Sequence, residues 1–71
     1  MYNLYLVHPD GRKQLHMATR DRLEARKEGT NLIDAAHAKS DLMVDIAYVT
    51  MEDDKGRELE WFDLNVYYDA V

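Results

Sequence analysis

Residues 20–40 read RDRLEARKEGTNLIDAAHAKS and decide the fold of this chain. Ala, Leu, Glu, Lys and Arg, which are good helix formers, make up most of the segment. Residues spaced three and four apart form one stripe of this helix, and most of them have small side chains, which would let the helix lie close against a sheet. The stripe consists of Ala25, Gly29, Leu32, Ala36 and Ser40, and Ile33 lies beside it. The segment predicts one helix of about 21 residues, roughly 31 Å long.

Capping and breaking residues mark the ends and the middle of this segment. Thr19 is a good N-cap candidate, because its hydroxyl can accept a first-turn N–H, and Asp21 then falls in the first turn. Glycine costs about 1 kcal/mol inside a helix, so a break at Gly29, with Thr30 or Asn31 capping a second helix, is the alternative. We favour a single helix and leave a kink at Gly29 open.

Before the helix, residues 2–8 and 13–18 show the two-residue alternation that is typical of strands. Pro9, Asp10 and Gly11 between them favour a tight turn. Proline presets φ, aspartate suits the next position, and glycine accepts a left-handed conformation. These residues predict a first β-hairpin.

After the helix, residues 42–51 and 58–68 show the same alternation, separated by a turn that Gly56 closes. They predict a second hairpin. In its last strand the adjacent Trp61 and Phe62 must face opposite sides of the sheet, unless a bulge intervenes.

The order hairpin, helix, hairpin predicts an α+β two-layer sandwich, ββαββ, with one long helix on one face of a four-stranded antiparallel sheet. At 71 residues the chain has room for a single domain, 1–71. We expect ten apolar side chains to supply most of its core: Leu4, Leu6, Leu15, Met17, Leu32, Ala36, Val44, Ile46, Leu64 and Val66.

The predicted strand 42–51 is apolar on both faces, and one helix can cover only one face of a sheet. The sequence therefore predicts an apolar patch on the uncovered face. Its candidates are Tyr5, Val7, Val49, Met51, Trp61 and Tyr67. A contiguous exposed patch of this kind is typical of an interaction site.

The composition indicates a globular protein of a reducing compartment. Its 46% apolar residues exceed what an acidic disordered tail contains. The absence of cysteine excludes disulfides, thiolate nucleophiles and cysteine-ligated metals. Residues 1–10 resemble neither a signal peptide nor an anchor, and no apolar stretch approaches the roughly 20 residues of a spanning helix. We expect a cytoplasmic protein without a membrane partner.

No catalytic, cofactor or metal motif stands out. His8, His16, His37 and Asp10 lack any recognised ligand spacing. Ser40, the only serine, has no glycine elbow, and the three glycines form no phosphate-binding loop. We expect no enzyme activity, no cofactor and no metal site. A small metal protein or enzyme remains the third hypothesis.

Charge is unevenly distributed along the chain. Residues 12–27 carry six basic against two acidic side chains, whereas residues 28–71 carry eleven acidic against three basic ones. The basic segment Arg12–Lys27 suggests a nucleic-acid-associated regulator, in which a polyanion would relieve the repulsion of Arg22 and Arg26, four residues apart on a helix. A sequence pI near 4.9 argues against that partner and makes nucleic acid the second hypothesis.

Aromatic and acidic residues of the second hairpin are the first candidate for a binding site, because aromatics among complementary charges are typical of interface hot spots. The expected partner is a protein with a basic surface or a second copy of the chain. Small acidic chains of this kind include many phage-encoded proteins that inhibit host machinery by occluding a surface. The candidate residues are Asp53, Asp54, Glu58, Glu60, Trp61 and Tyr67.

Overall fold

The computed structural model describes residues 1–64. It contains β1 (Tyr2–Val7), β2 (Lys13–Thr19), α1 (Arg22–His37), a 3-10 turn (Asp41–Met43), β3 (Tyr48–Glu52) and β4 (Glu58–Asp63). The strands form one antiparallel sheet in the order β2-β1-β3-β4, and α1 packs on one side of it. The predicted ββαββ arrangement is confirmed.

The helix is single and shorter than predicted. It runs through Gly29 without a break and has 16 residues. Its N-cap is Asp21 instead of Thr19, because the Asp21 carboxylate accepts the N–H groups of Leu23 at 2.9 Å and Glu24 at 3.4 Å. The Thr19 hydroxyl accepts the N–H of Asp21 at 3.1 Å and so belongs to the turn before the helix.

The helix ends in a tight C-terminal turn. The N–H of Lys39 donates to the Ala36 carbonyl at 3.1 Å, and that of Ser40 donates to the Ala35 carbonyl at 2.9 Å. Lys39 adopts a left-handed conformation with φ of 58°. These bonds satisfy carbonyls that the last turn would leave unpaired, and they stop the helix three residues before the predicted end.

The prediction of a strand over 42–51 is wrong for its first six residues. The chain forms the 3-10 turn, and Asp45, with φ of 63°, cannot lie in an extended strand. The chain joins the sheet only beside β1, where the N–H of Ala47 donates to the Val7 carbonyl at 2.7 Å. Val44, expected in the core, is 58% exposed as a result.

The core lies between α1 and the sheet. Leu4, Leu6, Leu32 and Leu64 are buried there as predicted, while Met17, Ala36 and Ile46 pack against its margin. Val66 lies outside the described residues. Val49 and Met51, assigned to the uncovered face, belong instead to the core, because they pair with Leu6 and Leu4. Further members of the core are Ala25, Ile33, Met43 and Phe62.

Each edge strand contains a bulge. In β2 the pairing passes from Met17 opposite Leu4 to Leu15 opposite Tyr5, leaving His16 as the extra residue. A bulge shifts the alternation by one, so Met17 faces the helix but Leu15 faces the other side and is 55% exposed. The expectation that Leu15 is a core residue is therefore wrong.

The second bulge lies in β4, where Leu59 is the extra residue. Glu60 pairs with Met51 and Glu58 pairs with Glu52, so Glu60 faces the helix while Glu58 faces away from it. Beyond the bulge, Phe62 is buried in the core and Trp61 is 52% exposed on the opposite side. The predicted opposition of these two aromatics is confirmed.

Candidate binding surface on the sheet

Within residues 1–64, α1 packs on one side of the sheet, and Met43 of the 3-10 turn joins the core on that same side. We call the opposite side of the sheet the open face. Cross-strand pairing assigns its members, since directly opposed residues share a face. They are Asn3, Tyr5, Val7, Lys13, Leu15, Ala18, Tyr48, Thr50, Glu52, Glu58, Trp61 and Asp63.

A cation held between a ring and a carboxylate lies across the middle of the open face. The Lys13 ammonium is 2.6 Å from a Glu52 carboxylate oxygen and 5.8 Å from the centre of the Tyr5 ring. The Thr50 hydroxyl donates to the same Glu52 oxygen at 3.3 Å. Glu52 is only 6% exposed, so this carboxylate is satisfied within the chain. The hydrogen bond between the Lys13 ammonium and the Glu52 carboxylate is the main cause of the raised pKa of Lys13.

An aromatic pair lies beside this group, toward the β4 edge. The rings of Tyr48 and Trp61 meet edge to face, with centroids 5.7 Å apart and an angle of 65° between their planes. Tyr48 is half-buried, whereas Trp61 is 52% exposed. The indole of Trp61 thus packs against a neighbouring ring and still presents half of its surface.

The structure separates the four acidic candidates. Glu58 is exposed on the open face, on the same side of β4 as Trp61. Glu60 lies on the helix side, where its two oxygens are each 3.1 Å from a guanidinium nitrogen, of Arg22 and of Arg26. Asp54 is exposed beside the N-terminal ammonium, 3.2 Å away. Tyr67 lies outside the described residues.

Asp53 supports the turn between β3 and β4. Its carboxylate accepts the N–H groups of Lys55 and Arg57, both at 2.9 Å, and lies 2.8 Å from the Arg57 side chain. The backbone hydrogen bond from Arg57 is the main cause that lowers the pKa of Asp53 below its ordinary value of 3.8. The Asp53 carboxylate therefore stabilises the turn in addition to contributing a negative charge.

This lowered pKa gives a testable pH dependence. The ionised form stabilises the turn above the ordinary pKa, and the contribution is lost as the pH falls through the lower folded-state pKa. We expect Asp53→Asn to have a lower melting temperature than the parent protein at neutral pH. In strong acid, the two melting temperatures are expected to be equal. Thermal melts over this pH range check it, with Asp34→Asn on the exposed helix surface as the control. A deficit that is the same at every pH would contradict the assignment.

Of the candidate binding residues, Trp61 and Glu58 are the two that the sequence identified and that share the open face. Sequence reasoning missed Tyr48, Leu15 and Lys13. Tyr48 was placed in a longer strand, and Leu15 was assigned to the core, because the bulge at His16 leaves no mark in the alternation. The only feature of the sequence that could have identified Tyr48 as a binding residue is its aromatic side chain.

Most cations of the basic segment lie beside carboxylates of this chain. Arg12 is 2.7 Å from Asp10, and Lys13 binds Glu52 as described. Glu60 contacts both arginines whose mutual repulsion suggested a polyanion. That repulsion is thus relieved from within the chain. Arg20 and Lys27 form no ion pair among residues 1–64.

The histidines are dispersed. His16 is 2.6 Å from Glu28 of α1, and His37 is 2.8 Å from the Leu64 carbonyl. Asp10 interacts with Arg12 at the first turn. Over residues 1–64, no group of three or more histidine, aspartate or glutamate side chains is arranged to hold a metal ion.

Among residues 1–64, α1 is too short and too polar to cross a membrane. Comparison with protein-family models, with curated proteins and with solved structures found no match. Function must therefore be argued from the surface itself.

Proposed function

We propose that this chain is a protein-interaction module that binds a basic surface of another protein with its open face. The observation that carries the proposal is the Tyr48–Trp61 pair, which presents a half-exposed indole on the side of the sheet opposite the helix. Rigid aromatics give a large contact area at a low cost in side-chain entropy, and tryptophan is enriched in binding hot spots.

The charge of the chain supports a basic partner over a second copy. The net charge is −5, so two copies would repel each other, whereas a cationic surface would be attracted. Glu58 lies on the open face and Asp54 lies at the hairpin tip, where both can act at long range. Such charges raise the association rate, and salt slows association more than it speeds dissociation.

The two bulges support docking on the face instead of strand addition at an edge. An extra residue disrupts the ladder and twists an edge strand, which hinders pairing with another strand. Both edges of this sheet have such a residue, His16 in β2 and Leu59 in β4.

The proposed mode of action is occlusion, with no catalytic step. The bound chain covers the surface that its target uses, as expected for an accessory inhibitor of the phage or mobile-element type. We place this interaction in the cytoplasm, because a chain without cysteine is suited to a reducing compartment.

The proposal predicts that partner capture depends on Trp61. Tagged protein would be incubated with lysate of the organism that carries the chain, in parallel with Trp61→Ala. The control is Leu23→Ala, which removes an exposed side chain of α1 that is 57% accessible. We expect a basic protein to be captured by the parent and by Leu23→Ala, and to be lost with Trp61→Ala.

The captured protein must then bind the purified chain and change the emission of Trp61, the only tryptophan present. Capture that survives Trp61→Ala would contradict the proposal. A steep log–log dependence of binding on salt with a polynucleotide would instead favour the nucleic-acid hypothesis. The pairing of Arg12, Arg22 and Arg26 with carboxylates makes that outcome unexpected.

A further inference from the structure

We propose that Trp61, Tyr48 and Glu58 form a receptor for one arginine side chain, presented by an extended basic segment of the partner. This inference rests on the proposed function and adds the chemical group that the open face recognises. On the open face, one aromatic ring and one carboxylate hold a cation of this chain. A second ring and carboxylate on the same face have no cation paired with them among residues 1–64.

The occupied place is formed by Tyr5, Glu52 and Lys13. The Lys13 ammonium lies 5.8 Å from the Tyr5 ring centre and 2.6 Å from the Glu52 carboxylate. The open face thus already holds a cation between the face of a ring and a carboxylate, by the combined attraction of the ring quadrupole and the negative charge.

The second place has the ring and the carboxylate, and no cation among residues 1–64 is paired with them. Because Leu59 is the extra residue of the bulge, Glu58 and Trp61 occupy successive positions on the open face, about 7 Å apart along the strand. Trp61 is 52% exposed. Glu58 is exposed and forms no ion pair within residues 1–64. A cation seated against the indole is therefore within reach of an unused carboxylate.

Tyr48 packs against the indole of this receptor. Its ring meets Trp61 at 65° with the centroids 5.7 Å apart, so the indole has a packed neighbour on the β3 side. A receptor whose ring is already oriented loses less side-chain entropy when it binds.

Arginine fits this place better than lysine. The guanidinium is planar and stacks on an aromatic ring, it is less strongly hydrated than an ammonium, and its fork can donate two hydrogen bonds to one carboxylate. An acidic chain with net charge −5 attracts a segment that carries several such groups. We therefore expect binding in the order arginine, then lysine, then an uncharged isostere.

The test uses fluorescently labelled peptides that lack aromatic residues and contain arginine, lysine or citrulline at the same positions. Citrulline has nearly the shape of arginine without its charge. Anisotropy at low salt measures the dissociation constant for the parent and three variants. Trp61→Leu is expected to weaken arginine-peptide binding about tenfold, and Glu58→Gln about 3- to 5-fold. Glu24→Gln removes the same charge from the exposed start of α1 and is expected to change little.

Equal binding of the arginine and citrulline peptides would overturn the inference, as would equal effects of Glu58→Gln and Glu24→Gln. Backbone amide shifts in NMR spectra of the labelled protein locate the peptide, and shifts confined to the basic or helical surface would overturn it too. Failure of this inference can be distinguished from failure of the proposed function. If a captured protein depends on Trp61 but arginine peptides do not, the open face binds a partner by other chemistry.

Discussion

Leu6→Ala is expected to lower the free energy of unfolding by about 2–5 kcal/mol, because it removes a large buried side chain and leaves a cavity. Leu6 is completely buried in β1, opposite Val49 of β3, at the centre of the core. A domain of this size has a total stability of only about 4–10 kcal/mol. The variant is therefore expected to be largely unfolded on warming.

Urea unfolding followed by far-ultraviolet circular dichroism measures this effect. The matched control is Leu15→Ala, which deletes the same atoms from a side chain that is 55% exposed on the open face. We expect that control to change the stability by less than about 1 kcal/mol. A control as damaging as Leu6→Ala would show that the bulge at His16 is misplaced and that Leu15 belongs to the core.

Gly29→Ala is expected to destabilise the protein by about 1–3 kcal/mol, against the usual preference for alanine in helices. The helix approaches the sheet so closely that a Cβ at this position would lie 2.6 Å from the tip of the Phe62 ring. Phe62 is buried in the core, so its ring can move only by disturbing neighbours. Overpacking therefore outweighs the gain of about 1 kcal/mol in helix propensity.

Two variants separate these opposing effects. Thr30→Ala lies at the next helix position, which is exposed, so it changes the helix propensity without adding atoms next to the sheet. We expect it to leave the stability unchanged or to increase it. In a Phe62→Leu background, Gly29→Ala is expected to become neutral or stabilising as well. The double-mutant cycle gives the coupling between the two positions. Additive effects of Gly29→Ala and Phe62→Leu would show that the close approach is absent.

The elements that the sequence predicted correctly depend on local chemistry. Gly11 and Gly56 adopt positive φ in the two hairpin turns, at 92° and 77°, as the turn residues indicated. The helix follows from residue propensities, and the small stripe through Gly29 correctly predicted a close approach to the sheet. The N-cap was predicted at Thr19 with Asp21 in the first turn, and the observed hydrogen bonds place the cap two residues later, at Asp21.

The features that the sequence did not predict depend on pairing between distant residues. An unpaired residue such as His16 or Leu59 reverses the side that each preceding residue of its strand faces, and alternation alone does not show where it lies. For the candidate site this matters directly. Acidic residues 58 and 60 look equivalent in sequence, yet one faces solvent beside Trp61 and the other faces the helix.

Both outermost strands are tied to the helix by side-chain contacts near their bulges. His16 of β2 reaches Glu28, and Glu60 of β4 reaches Arg22 and Arg26, so that α1 connects the two margins of the sheet. Outer strands, with a neighbour on one side only, are usually the first parts of a sheet to fray. Here the loosening of either margin also breaks a bond to the helix that covers the core. We therefore expect fraying of either margin to weaken the attachment of the helix to the sheet as well.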